Sequence, residues 1–110
     1  MMFYELEAGN KVYKLRLTTR NIVSLEKQLN GNPLSIFGDG DKLPTVTELV
    51  AVLWASLQQY NHGISMNDAY NIFDDYLADG HAMTDFFSVV VEVYKISGLI
   101  QTEKESIEKN

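Results

Sequence analysis

The chain contains no cysteine, which excludes a disulfide framework, a thiolate metal site and a cysteine nucleophile. It lacks a basic stretch followed by an apolar run at its start, so no secretory leader is expected. The longest apolar-rich stretch, Met83 to Ile100, is interrupted by Asp85, Glu92 and Lys95 and makes a poor membrane span. Basic residues are scarce where most of the helical pattern lies. Residues 43–100 hold one, Lys95, against seven acids. A duplex binder normally needs several Lys or Arg to displace phosphate counterions, so nucleic acid is not an expected partner. None of the seven glycines forms a phosphate-cradling loop, and there is no internal repeat or low-complexity segment.

The 110 residues suffice for one domain with a sizeable core. The net charge of −6 is uneven: residues 1–42 sum to +1, residues 43–100 to −6 and the last ten to −1. A protein partner of the helical body should therefore be basic or apolar.

Periodicity predicts an α+β fold, predominantly α, with an N-terminal β-hairpin packed on a bundle of about four helices. Residues 3–18 read as the hairpin. Lys11 to Thr18 alternates, with Lys14 and Arg16 opposite the apolar set. Ala8-Gly9-Asn10 supplies the positive-φ residues of a tight turn. Helices are expected at about 19–30, 45–61, 65–78 and 81–101.

The first helix has Thr18 or Thr19 as cap, Ile22, Leu25 and Leu29 as apolar stripe, and Gly31 as left-handed stop. Leu34 to Lys42 reads as a loop. Thr45-Val46-Thr47-Glu48 is a capping box, and Ser65 with Asp68 is a second. In the second helix Val46, Leu49, Val50, Leu53, Leu57 and Tyr60 form the stripe, and Val52 and Trp54 widen it over most of the circumference, which places the helix centrally. In the third, Met66, Ala69, Tyr70, Phe73 and Leu77 form the buried face. Residues 1–101 make a single domain, and 102–110 a polar tail.

Candidate chemistry is sparse. Asp39-Gly40-Asp41 invites a calcium-loop reading, but the fifth, sixth and twelfth positions are Leu43, Pro44 and Val50 where oxygen ligand, glycine and glutamate are needed. Asp74, Asp75, Asp79 and His81 form the densest ligand-capable cluster, and a metal-dependent enzyme built on Asp75, Asp79 and His81 is one reading. It offers fewer oxygens than a firm site normally has. No catalytic, cofactor-binding or metal residue is therefore assigned, and no cofactor is expected.

Five positions stand out as interaction candidates. Glu26 shares the edge of the first helix's stripe, either paired with Arg16 or Arg20 or contacting a second copy. Val52 and Trp54 lie off the main stripe of the second helix, and Val93 and Ile96 off that of the last. Either the hairpin covers Val52 and Trp54, or they form a patch larger than a monomer usually exposes. Val93 and Ile96 would then be the other half of a head-to-tail contact.

The run Lys11-Val12-Tyr13-Lys14-Leu15-Arg16-Leu17-Thr18, followed by Ile22, Leu25-Glu26 and Gly31-Asn32-Pro33-Leu34, resembles the opening of the tail assembly chaperones of long-tailed, siphovirus-type bacteriophages. The resemblance extends in length and order over roughly residues 3–100. It implies a non-enzymatic, homo-oligomeric protein of the host bacterial cytoplasm that binds the tape-measure protein, keeps it soluble, and is displaced as tail-tube protein polymerises. It also implies a longer frameshifted form, for which Thr102 onward would be the branch point. The alternative within the same setting is a structural tail component, a tail-terminator or head–tail joining protein.

Overall fold

The computed structural model describes residues 2–38 and 42–101. Among them the chain forms one antiparallel hairpin, β1 (Tyr4–Ala8) and β2 (Lys11–Leu15), followed by α1 (Thr19–Leu29), α2 (Val46–Leu57), α3 (Met66–Ala78) and α4 (Asp85–Ser97). The fold is α+β and mostly α, as the periodicities predict. The calcium-loop candidate Asp39–Asp41 and the tail 102–110 lie outside the described residues.

The hairpin pairs Tyr4 with Leu15 and Leu6 with Tyr13 on the face toward the helices, where Leu6, Ala8 and Leu15 are buried. Gly9 and Asn10, at φ 59° and 64°, form the two-residue turn whose twist matches that of the strands. A lone hairpin is marginal in water. This one is stabilised by β1 lying against α3 and α4 and β2 against α2.

α2 is the centre of the molecule. It touches α1, α3, α4 and β2, and eight of its twelve residues are buried. Its start follows the capping box. Glu48 N–H donates to Thr45 Oγ1 (3.1 Å) and Thr45 N–H to Glu48 Oε1 (2.8 Å). The Ser65–Asp68 box is formed in the same way, and the bond from the Ser65 amide, the larger cause, holds the Asp68 carboxyl below its usual range.

Several boundaries depart from the expected ones. α1 ends on Asn30 in the left-handed region (φ 57°), not on Gly31; asparagine tolerates that conformation, and both amides then reach the Glu26 carbonyl. The segment expected as a loop from Leu34 begins inside a 3-10 helix, Pro33–Phe37. Asn32 caps it by accepting from Leu34 N–H (2.9 Å), with proline at its first position. α2 stops at Leu57 rather than residue 61, because the Gln58 side chain donates to the carbonyls of Trp54 (3.0 Å) and Ile64 (2.9 Å) and folds the chain back. Tyr60 is thereby exposed, its ring edge against Phe3.

α3 is rotated from its expected face. Ala69, Ile72, Phe73 and Tyr76 are buried, whereas Tyr70 and Leu77 are exposed. Tyr76 is drawn inward by ring contacts with Phe73 and Phe86. α4 begins at Asp85, not residue 81, since the Asp85 carboxylate accepts from Ala82 N–H (2.7 Å) in a non-helical turn. It ends at Ser97 on left-handed Gly98, well short of residue 101.

Tyr94 fastens α4 to the segment after α1. Its ring is fully buried, and its hydroxyl donates to the Pro33 carbonyl at 2.9 Å. Burial pushes its phenol well above the usual tyrosine range, with Glu48 a smaller cause. Tyr76 is raised too, by burial first and then by Asp85. A phenol raised on folding stabilises the protein fully below its unfolded pKa and loses that contribution as pH climbs toward the folded value. Denaturant midpoints should therefore hold steady to a pH of about 10 and fall above it. Tyr94→Phe should cost about 1–3 kcal/mol at neutral pH, since the Pro33 carbonyl loses its donor, and should flatten the alkaline decline. An alkaline slope unchanged in Tyr94→Phe would contradict this.

Candidate functional site

The sequence-derived interaction residues do not form one surface. Val52 and Val93 are each 1% exposed. Both belong to the core, because α2 is enclosed by α1, α3, α4 and β2, and α4 by α2 and β1. Val52 therefore adds nothing to the patch envisaged with Trp54, nor Val93 to its counterpart with Ile96. Trp54 and Ile96 are half-buried, and the Ile96 carbonyl accepts from Arg16 Nη1 (3.4 Å).

Glu26 is exposed, and its carboxylate has no ion pair among the described residues. The expected pairing fails for geometric reasons. Six residues along a helix place Glu26 about 120° around α1 from Arg20. Arg16 is engaged elsewhere, donating to the carbonyls of Met2 (2.8 Å) and Ile96.

The Asp75, Asp79 and His81 cluster is committed to structure. Asp79 Oδ2 accepts from Gly9 N–H at 2.9 Å, docking the hairpin turn on the end of α3. A Cβ on Gly9 would stand 2.8 Å from Asp75 Oδ2. His81 lies flat on Tyr76, ring centroids 4.2 Å apart, with Nδ1 3.9 Å from Asp85 Oδ2. Among the described residues no group of three or more histidine or acidic side chains is placed to hold a metal ion.

What the sequence reading missed is a cleft of about 330 Å³ between the start of α1 and the end of α2, at the small end of ligand-site volumes. Thr18, Arg20, Asn21 and Ser24 form one wall; Trp54, Gln58, Gln59 and His62 form the other. The α1 wall is set by its cap. Asn21 N–H donates to Thr18 Oγ1 (3.3 Å), while Asn21 Oδ1 accepts from the Thr18 amide and hydroxyl. That leaves the Asn21 amide nitrogen as a donor. The α2 wall is set by Gln58, whose two carbonyl bonds leave its oxygen as an acceptor. Trp54, off its helix's main stripe, was the one signal that pointed here. The contribution of Arg20 and His62 depends on the α1–α2 packing, which spacing does not encode.

Among the described residues the hairpin thus lies against the helices, and the cleft opens at the α1–α2 junction. The chain matches over residues 4–110, and belongs to, the family described as "Family of unknown function (DUF6096)". No curated protein and no solved structure matches it significantly. No helix among the described residues is long and apolar enough to cross a membrane.

Gly9 is the position where the docked hairpin is most demanding. Gly9→Ala combines a positive φ with crowding against Asp75 and should cost about 1–3 kcal/mol in a denaturant melt. Adding Asp75→Ala should recover the crowding part and leave the backbone part. A Gly9→Ala cost within about 0.5 kcal/mol, the range of ordinary surface changes, would mean that the turn is not held against α3.

Proposed function

We propose that this protein is a tail assembly chaperone of a long-tailed bacteriophage or prophage, binding and solubilising the tape-measure protein during tail morphogenesis. The observation that carries the reading is the opening of the chain. The alternating run Lys11–Thr18 leads directly into a helix bearing Leu25-Glu26 and closing before Gly31-Asn32-Pro33-Leu34. The order of a hairpin followed by helices is the order the resemblance implies. An acidic body with no catalytic group assembled among its described residues suits a holding role, and in this reading the protein is not an enzyme. It works in the host cytoplasm as a homo-oligomer and gives up its client to the tail-tube protein.

Client capture would use surfaces other than Val52 and Val93. Exposed apolar side chains are spread over the hairpin (Val12), α1 (Val23), the 3-10 helix (Leu34), the start of α2 (Val46) and α3 (Tyr70, Leu77). Such scatter suits weak, repeated contacts along a long helical client more than one deep pocket. Co-expression with a fragment of the cognate tape-measure protein should raise that fragment's soluble fraction, and the two should co-purify. Mass spectrometry of purified virions should find the protein absent. An insoluble fragment despite abundant soluble partner would contradict the reading. Stoichiometric presence in virions would identify a structural tail component instead.

A further inference from the structure

We propose that the α1–α2 cleft is a binding site for a protein segment presenting a carboxylate side chain next to an apolar one. The chain carries fifteen acidic residues against nine basic ones, yet among the described residues no Asp or Glu lines this cleft. Its titratable groups are Arg20 and His62, one from each wall. The guanidinium of Arg20 makes no ion pair among the described residues. Its planar fork matches a carboxylate bidentately, and the free amide donor of Asn21, one residue along, can complete the acceptor's shell. The half-buried indole of Trp54 supplies the apolar wall against which the neighbouring side chain packs.

Shape and charge select the occupant. The cleft opens to solvent along one side, so a small free acid would leave much of its surface wet, whereas tight small-molecule sites enclose most of the ligand. A chain that continues past the cleft on both sides gains contact beyond it. Polyphosphate and nucleic acid do not fit, since one fixed cation on a protein of net charge −6 cannot release enough counterions to hold them. The preference is local and opposite in sign to that of the acidic helical body. It stands independently of the chaperone reading.

Trp54 is the only tryptophan in the chain, so intrinsic fluorescence reports on the cleft directly. The full chain would be titrated with the capped peptide acetyl-Glu-Leu-Glu-Leu-Glu-amide, with its glutamine counterpart acetyl-Gln-Leu-Gln-Leu-Gln-amide, and with glutarate as a free acid. The expected result is a saturable change with the glutamate peptide. Affinity should be weaker by about tenfold or more for the glutamine peptide, and equally so for the glutamate peptide on Arg20→Gln. Arg20 is exposed in the first turn of α1, so this variant keeps the fold, and the peptide comparison needs no variant at all. Equal binding of the two peptides, an unchanged affinity in Arg20→Gln, or no saturable change would overturn the assignment. Glutarate binding as tightly as the peptide would overturn the choice of a protein segment.

Discussion

The fold depends on a crossing just beyond β2, at Arg16 and Leu17. Arg16 N–H donates to the carbonyl of Ser56 at 2.9 Å, tying the strand's exit to the last turn of α2. Leu17 N–H donates to Ser97 Oγ at 2.8 Å, tying it to the last turn of α4. The Arg16 guanidinium adds the carbonyls of Met2 and Ile96. Two residues of extended chain thus join Met2, the central helix and α4. The backbone groups here leave the β-ladder before α1 begins, and a buried amide without a partner would cost about 1–3 kcal/mol. The clasp satisfies them while seating Leu15 and Leu17 in the core.

From this crossing the other features follow. With Leu17 fixed, Thr18 caps α1 at once, and α1 can only run back along α2. That placement brings the start of one helix beside the end of the other, which makes the cleft. At the far end of the hairpin, the Gly9–Asp79 bond fixes the turn to α3. The hairpin is therefore pinned at both ends, and it helps enclose α2 so completely that Val52 has no route to the surface.

Features governed by local chemistry were legible in the sequence. The Gly9-Asn10 turn, the Thr45–Glu48 and Ser65–Asp68 capping boxes and the central placement of the Leu49–Leu57 stripe depend on residues that are near one another in sequence. The misjudged features depend on distant partners. Tyr76 replaces Leu77 in the core because Phe86, from another helix, receives it. Asn30 replaces Gly31 as the left-handed residue because its conformation directs two amides to one carbonyl, which composition does not reveal. Trp54 was singled out as anomalous for its helix, but its companions Arg20 and His62 come from other segments, so only the packing of α1 on α2 assembles the cleft. The proposed function rests chiefly on the order of elements in the opening, and membership of DUF6096 adds a family without an activity.

Native-state hydrogen exchange tests the role of the crossing most directly. If Arg16 and Leu17 hold the hairpin, α2 and α4 together, their amides open only when the whole molecule unfolds, and they should exchange at the global rate shown by Leu53 in the buried centre of α2. Exchange of the Arg16 and Leu17 amides at rates typical of an open loop, with Leu53 still protected, would show that hairpin and helices are held together by something other than this clasp.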